Sequence, residues 1–313
     1  MGRILIVDST PYRETMAGTL GDAGFLVETA ESAYDAMAKL KSFDFDLVIA
    51  EVELPGDNAF DLYNYISTYY PYIPAIMVTD RDMDTFFDRI FAEGIGNVLS
   101  KPLRSEELVN LTEKLISKKN IFGLNNYMNV EGDVKKIRIS SSEQIRKAVA
   151  LVFKQIEEWG FSIGNKSVLN LILNELIINA VYHSHGYTSE KENRVQIKLA
   201  ENEFVDLCFA RNQDSYGISI TDYKGRLSKL MILDSIQRAI EQTRLILRAA
   251  ETGEDITDMV SETGRGIDLV RKLSAEYFFA IKNNVRTEII LIFDRDTSAA
   301  EKSPSLKIIE DIN

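Results

Sequence analysis

The sequence predicts an α/β protein of two domains, and three observations lead to that prediction. The chain has 313 residues, whereas single domains commonly hold about 100–200. Its first 118 residues alternate short apolar runs with amphipathic stretches. Residues 1–120 carry 11 Lys and Arg against 20 Asp and Glu, whereas the whole chain carries 36 against 48. We therefore expect a first domain over 1–120, a linker over 121–133, a second domain over 134–295 and a polar tail over 296–313.

The first domain shows five β–α units in series. Apolar runs expected as strands lie at 4–7, 25–27, 47–49, 75–78 and 98–99. Helical patterns follow them at 12–20, 33–40, 60–69, 84–92 and 106–116. Serial β–α units form a parallel sheet with helices on both faces, and function sits beyond the carboxyl ends of its strands. The prediction is a doubly wound, five-stranded parallel sheet.

Polar residues stand at those strand ends, and they form a recognisable set. They are Asp8, Ser9, Glu51, Thr79 and Lys101, the last followed by Pro102. With the turn Leu54-Pro55-Gly56, they make residues 2–119 resemble the receiver domain of bacterial response regulators. That family carries two acids after the first strand, a phosphoaccepting Asp after the third, a Ser or Thr after the fourth and Lys-Pro after the fifth. The resemblance implies a receiver-like fold with these five residues in its pocket.

Two positions depart from the family pattern. Glu51 stands where the phosphoaccepting Asp is expected, and Ser9 replaces the second metal-binding acid. Because Mg²⁺ demands near-ideal oxygen geometry, we expect ordinary phosphorelay chemistry to be lost. Two interpretations stay open: Glu51 reaches Thr79 and Lys101 and imitates the phosphorylated state, or a degenerate receiver serves docking or dimerisation. Val98 occupies the position of the aromatic switch residue of many receivers, which favours the second. We call this domain a pseudo-receiver.

The second domain begins with a strand pattern at 134–139. Ser140 and Glu143 match a capping box that opens a helix ending near residue 159. A second helix is expected over 166–183, where Glu175, Asn179 and His183 recur every four residues and share one face. Further strands are expected at 195–199, 204–210, 217–221 and 286–293.

Four motifs follow one another through this domain. They are Glu175-Leu-Ile-Ile-Asn179-Ala, Asp222-x-x-Gly225, Gly264-Arg265-Gly266 and Thr287. In this order they make residues 134–294 resemble the ATPase domain shared by histidine kinases, gyrase B, related heat-shock chaperones and anti-sigma-factor serine kinases, most of all the last group. The resemblance implies an α/β-sandwich fold that binds ATP and Mg²⁺.

The resemblance also implies a role for each motif. Glu175 would act as the general base, Asn179 would coordinate Mg²⁺, and Asp222 would accept a hydrogen bond from the adenine amino group. Gly225 would let the chain pass close to the base, and Thr287 would contact the adenine side. The remaining turn, Gly264-Arg265-Gly266, would face the phosphates, since glycines before a helix let backbone amides approach an anion.

The second motif departs from the family's Asp-x-Gly-x-Gly box. One extra residue precedes Gly225 and the second glycine is missing, which weakens the assignment of Gly225. The segment 226–262 is expected to form a lid over the nucleotide, with a helical pattern over 227–250. His183 and His185 are expected to have structural roles, and a supporting contact of His183 at the site is the alternative.

Composition limits the remaining possibilities. A pI near 4.9 argues against nucleic-acid binding, which relies on clustered Lys and Arg. The single cysteine, Cys208, excludes an intrachain disulfide. No apolar run approaches the roughly 18 residues that cross a membrane, and the N-terminus leads into a strand pattern without a signal peptide. A cytoplasmic protein is expected.

Two functions of the whole chain are weighed. One is an anti-sigma-type protein serine/threonine kinase, regulated by the pseudo-receiver and acting on a small antagonist protein. The other is a nucleotide-dependent module that binds a signalling partner without phosphoryl transfer. A pure scaffold is the third alternative, and a homodimer is left open.

Overall fold

The computed structural model describes residues 2–54, 56–119, 121–252, 265–274, 276–295 and 305–311. It contains two compact units. The first comprises Met1–Lys119 with Lys302–Lys307, and the second comprises Asn120–Glu301 with Ile308–Asn313. Both units pack helices against β-strands.

The first unit is built on parallel strands. They are β1 (Arg3–Val7), β2 (Leu26–Ala30), β3 (Leu47–Glu51), β6 (Ala75–Thr79) and β7 (Asn97–Ser100), with a small hairpin of β4 (Glu53–Leu54) and β5 (Asp57–Asn58). The parallel strands lie in the order β2-β1-β3-β6-β7. All five residues of β3 are buried, as expected of a strand covered on both faces. The predicted five-stranded parallel sheet is confirmed.

Five helices cover this sheet. They are α1 (Tyr12–Asp22), α2 (Ala33–Ser42), α3 (Ala59–Tyr69), α4 (Phe87–Glu93) and α5 (Ser105–Ser117). The single helix predicted over 84–92 is wrong in its first turn. Asp82 accepts hydrogen bonds there from the Asp84 amide through its side chain and from the Thr85 hydroxyl through its carbonyl, and this holds a separate 3-10 turn before α4.

The C-terminal segment adds a strand pairing to the first unit that the sequence did not predict. Leu306 and Lys307, at the start of β13 (Leu306–Glu310), pair antiparallel with Val98 and Asn97 of β7. Leu306 is fully buried. This part of the expected polar tail therefore belongs to the packed structure of the unit.

The second unit is built on antiparallel strands. They are β8 (Lys135–Ile139), β9 (Val205–Arg211), β10 (Ser215–Asp222), β11 (Glu276–Lys282) and β12 (Arg286–Asp294). Their order is β11-β12-β10-β9-β8, and Ile308 to Glu310 pair parallel with β11. Its helices are α6 (Gln144–Glu158), α7 (Lys166–Val181), α8 (Thr188–Glu192), α9 (Lys229–Thr252) and α10 (Arg265–Leu273). The helices α6 and α7 lie between β8 and β9 in the chain, and α9 and α10 lie between β10 and β11.

The second unit contains two elements that the sequence did not predict, β11 and α8, and two expected features do not form. Residues 195–199 form no regular strand, and Lys198 makes an isolated antiparallel bridge with Ser141 in the segment that leads into α6. The Ser142 amide donates to the Ile197 carbonyl at 3.0 Å, and the Leu199 amide donates to the Ser140 carbonyl at 2.8 Å. The capping box does not form either, since the Gln144 side chain accepts from the Ser140 amide at 2.8 Å instead.

No helix in the described parts of either unit combines the length and the apolar character needed to cross a membrane.

Candidate functional site

Four of the five polar residues expected in a receiver pocket stand at the carboxyl ends of strands in the first unit. Glu51 and Thr79 are the last residues of β3 and β6, and Asp8 and Lys101 directly follow β1 and β7. The Lys101 ammonium lies 3.1 Å from Asp8 Oδ2 and also pairs with Glu51 Oε2. Both carboxylates are buried, so one cation sits between two acids that water scarcely reaches.

Burial and pairing act in opposite directions on the ionisation of this pocket. Burial raises the pKa of Glu51, and the nearby charge of Asp8 adds to that, whereas Lys101 opposes it. Burial alone would lower the pKa of Lys101, but the carboxylates of Glu51 and Asp8 outweigh it and raise the pKa. The lysine therefore stays charged, and the pocket holds its own counter-ion.

Thr79 and Ser9, the other two residues expected in the pocket, do not take part in these ion pairs. The Thr79 hydroxyl is fully buried and accepts a hydrogen bond from the Arg81 amide at 3.0 Å. Ser9 is exposed. Within the described residues no group of three His, Cys, Asp or Glu is arranged to hold a metal ion. The structure thus brings together Asp8, Glu51 and Lys101.

A second polar cluster lies where β10 ends in the second unit. Asp222 is the last residue of β10 and is paired in register with Thr287 of β12. Asp222 Oδ1 accepts from the Lys224 amide at 3.0 Å and from the Gly225 amide at 2.9 Å. Asp222 is 4% exposed and Thr287 is 2% exposed. The Thr287 hydroxyl has no hydrogen-bond partner among the described residues.

The carboxyl end of α7 reaches the same cluster. Burial raises the pKa of Asp222, while the Gly225 and Lys224 amides, His185 and the Ser184 hydroxyl act against that rise. The Ser184 amide in turn donates to the Asn179 carbonyl at 3.2 Å. The residues after Asn179 therefore lie beside Asp222, although the two motifs are distant in sequence.

Gly225 is required by the backbone around it. Its φ is +59°, and a Cβ there would lie 2.5 Å from the Lys282 carbonyl oxygen and 2.5 Å from the Val285 nitrogen. Its carbonyl accepts from the Asn284 amide at 2.9 Å. Only glycine fits against this turn between β11 and β12. Packing therefore explains the glycine at position 225, although the surrounding motif departs from the family pattern.

Asn179 is engaged by Lys191, a residue outside the four sequence motifs. The Lys191 ammonium donates to Asn179 Oδ1 at 2.8 Å and lies 3.2 Å from His183 Nε2. His183 Nδ1 lies 3.1 Å from the Thr188 hydroxyl. Burial and the charge of Lys191 lower the pKa of His183. Asn179 and His183 on the predicted face of α7 thus both contact Lys191, and a supporting role of His183 at a nucleotide site stays a prediction.

The third motif lies partly outside the described residues. This applies to Gly264 and to the side chain of Arg265, while the backbone of Arg265 begins α10. A Cβ on Gly266 would lie 3.0 Å from Glu175 Cβ, so the first turn of α10 packs directly on the Glu175 face of α7. Residues 253–262 of the expected lid also fall outside, whereas its first part forms α9.

Comparison with known proteins identifies the first unit. Residues 4–113, under half of the chain, match the family model of the response regulator receiver domain. The chain is 26% identical over 182 residues to the probable transcriptional regulator ycf29 of Cyanophora paradoxa, which is 56% of this chain and 79% of that protein. It is 31% identical over 128 residues to the two-component response regulator-like PRR1 of Oryza sativa subsp. japonica, which is 39% of this chain.

The match to that rice protein spans only 24% of its length, and the match to the regulatory protein DctD of Rhizobium meliloti spans 25%. Among solved structures, the chemotaxis response regulator CheY4 of Vibrio cholerae is 29% identical with a TM-score of 0.35, covering 37% of this chain and 98% of that one. The N-terminal unit is a response regulator receiver domain, and the chain is similar to proteins of two-component signalling.

Proposed function

We propose that this chain is a signal-transduction regulator of bacterial type whose C-terminal unit binds ATP and phosphorylates serine or threonine on a partner protein. The receiver domain, with Glu51 at its phosphoacceptor position, would regulate that activity. The observation that carries the proposal is the pairing of Asp222 with Thr287 across β10 and β12.

This pair offers what an adenine ring needs at its polar edge. Asp222 presents a buried carboxylate whose position is fixed by two backbone amides. Thr287 presents a buried hydroxyl without a hydrogen-bond partner in the described parts of the chain. An unpaired buried hydroxyl costs about 1–3 kcal/mol, so a ligand that supplies its partner gains that interaction. A carboxylate acceptor and a hydroxyl side by side suit the amino group and ring nitrogens of the base.

The transfer step is supported by the packing of α10 on α7. The backbone at Gly266, the last residue of the expected phosphate-facing turn, lies directly against Glu175, the expected general base. A general base must stand within hydrogen-bond reach of the hydroxyl that it activates, and phosphoryl transfer relies mainly on such positioning. The expected Mg²⁺ ligand, Asn179, fits a metal site less well. Asn179 Oδ1 already accepts a hydrogen bond from the Lys191 ammonium, which does not fit the role of a Mg²⁺ ligand.

Nucleotide binding is tested by calorimetry with ATP on the full chain. Asp222→Asn should weaken binding by about tenfold or more, since the base would lose its charged acceptor. Asp214→Asn, in the exposed turn before β10, is the matched control and should leave the affinity unchanged. Failure of the wild type to bind any adenine nucleotide would refute the proposal.

Transfer is tested with labelled ATP and with proteins captured by the full chain. Label should appear on serine or threonine of a captured protein with the wild type and be lost with Glu175→Gln. Transfer that survives this substitution would remove Glu175 from the role of general base.

A second candidate function is ATP-dependent partner binding without transfer. It is favoured by the Lys191–Asn179 contact, because a lysine bound to this oxygen competes with the metal that transfer would use. Under this function ATP would change partner capture while no label moves to any captured protein.

A further inference from the structure

The end of α7 holds a cation whose direct hydrogen-bond contacts are both with uncharged groups. The Lys191 ammonium contacts an amide oxygen, Asn179 Oδ1, and an imidazole nitrogen, His183 Nε2. An ammonium has only donors, so Nε2 must accept and Nδ1 must carry the ring proton toward Thr188. The lowered pKa of His183 agrees with a neutral ring. Neither contact cancels the charge of Lys191.

No carboxylate in the described parts of the chain forms an ion pair with Lys191. This is notable in a protein with 48 Asp and Glu against 36 Lys and Arg, where acids are the commoner charged neighbours. Glu192 acts on His183 only through its charge and is itself exposed. A half-buried ammonium held by neutral groups keeps its full attraction for an anion.

A second cation stands over the loop that joins α7 to α8. A Cβ on Gly186 would lie 3.1 Å from Arg226 Nη1, so the guanidinium rests directly on the Gly186 backbone. Arg226 likewise forms no ion pair within the described residues. It follows closely after Asp222, the residue expected to read the base. One cation without an ion pair among the described residues thus contacts Asn179, and a second contacts the loop that leads from α7 to α8.

We infer that Lys191, assisted by Arg226, binds the polyphosphate of a nucleotide in place of Mg²⁺, so that nucleotide binding to this chain does not depend on the metal. Lysine ammonium is an established point-charge partner of phosphate oxygens, and arginine binds them through paired donors. Lys191 already lies on the side-chain oxygen that a metal would need. This inference rests on the proposed function, because it concerns the same nucleotide site.

A purely structural role for Lys191 makes a different prediction. If the ammonium only ties α8 to α7, its removal changes stability and leaves the metal dependence of nucleotide binding untouched. Metal dependence therefore separates the two roles, and it is measured as binding rather than as activity.

The experiment is calorimetry of the full-length protein with ATP, in EDTA and in Mg²⁺, for the wild type, Lys191→Met, Lys191→Arg and Arg226→Ala. The wild type should bind ATP in EDTA about as tightly as in Mg²⁺. Lys191→Met should lose about tenfold or more in EDTA, as expected for a lost charge-assisted bond, and regain affinity when Mg²⁺ takes the freed Asn179 oxygen. Lys191→Arg should retain most of the binding in EDTA, and Arg226→Ala should show a smaller loss than Lys191→Met.

Lys154→Met is the matched control, since that lysine is 72% exposed and pairs with Glu158. It should bind as the wild type does under both conditions. ATP binding by the wild type that requires Mg²⁺, or equal affinities of wild type and Lys191→Met in EDTA, would overturn this inference and leave the proposed nucleotide site standing. No ATP binding under either condition would overturn both.

Discussion

Glu107 of α5 and Lys307 of the C-terminal strand form an ion pair at 2.5 Å, with side chains that are 3% and 1% exposed. Both belong to the first unit. Charges so deeply buried must be paired, because water no longer solvates them. A residue close to the chain end is thereby part of the interior of the receiver domain.

The first prediction concerns this ion pair. Lys307→Met should lower the free energy of unfolding by roughly 3 kcal/mol, because Glu107 then loses its buried cation. Combining it with Glu107→Leu should recover most of that loss. Urea unfolding of the three variants measures both effects. Equal stability of Lys307→Met and the wild type would show that Glu107 has no need of this partner.

The second prediction concerns the receiver pocket. Restoring acids with Ser9→Asp and Glu51→Asp should allow Mg²⁺-dependent phosphorylation of residue 51 by a small phosphodonor, since Asp8, Thr79 and Lys101 are in place. Intact mass spectrometry detects the added phosphate. The change Glu51→Asp alone is the control and should be modified less. If the double variant stays unmodified, then residues other than Ser9 and Glu51 also prevent phosphorylation of this domain.

The third prediction concerns Gly225. Gly225→Ala should destabilise the second unit by at least about 2 kcal/mol, because the methyl group meets backbone atoms and the residue keeps a positive φ. Gly160 also has a positive φ, +79°, but a Cβ there would meet no described atom within 4 Å. Gly160→Ala should therefore cost only about 1 kcal/mol. Similar midpoints for the two variants in chemical denaturation would contradict the close packing at Gly225.

The fourth prediction separates folding from binding at Thr287. Thr287→Val replaces a buried hydroxyl without a described partner by a methyl group of similar size. Stability should stay equal or rise, because no hydrogen bond is lost. ATP affinity should fall if the hydroxyl contacts the base. A loss of stability with unchanged ATP affinity would instead assign the hydroxyl a structural role.

The fifth prediction is a pH dependence that arises at Asp206. Burial alone would raise the pKa of this carboxyl, but the Tyr223 hydroxyl, Lys136 and Arg138 outweigh burial and lower it. Because the pKa of Asp206 is lower in the folded than in the unfolded protein, its ionised carboxylate stabilises the fold at pH values above the unfolded pKa of about 3.9. This stabilisation is lost as the pH falls through the folded-state pKa.

Urea unfolding of wild type and Asp206→Asn between neutral and acid pH tests it. The difference in the free energy of unfolding between the wild type and Asp206→Asn should become smaller as the pH falls. Tyr223→Phe should show a smaller acid-dependent loss than the wild type, because one of the bonds that lower the pKa is gone. Parallel stability curves at all pH values would be inconsistent with this role of Asp206.

The sheet of the first unit could be predicted from sequence because four of its five strands are buried along nearly their whole length. Such strands appear as continuous apolar runs, and Leu47 to Glu51 is wholly buried in the structure. Residues 195–199 show why the second unit was harder. Their alternating pattern is typical of a strand, yet their hydrogen bonds go to the entry of α6. The strand β11 went unpredicted because a short apolar run between a helix and a turn does not identify its own structure.

The candidate sites also include residues that the sequence indicates and one that it does not. Asp222 and Thr287 were predicted from their motifs, and the register of β10 and β12 explains why they meet. Lys191 was missed, since α8 has five residues and too short a pattern to reveal a helix. Its contact with Asn179 depends on how the chain folds back after α7, which no local spacing encodes.

The pairing of Lys101 with Asp8 and Glu51 has a consequence for how long a signal lasts. An acyl phosphate on a receiver decays, so an ordinary receiver keeps a record of its input only for the lifetime of that bond. Under the proposed function, the ion pair here forms when the chain folds and persists until the chain is degraded. Information would then enter through the amount of protein present and through what binds to it, with synthesis and proteolysis setting the duration of the signal.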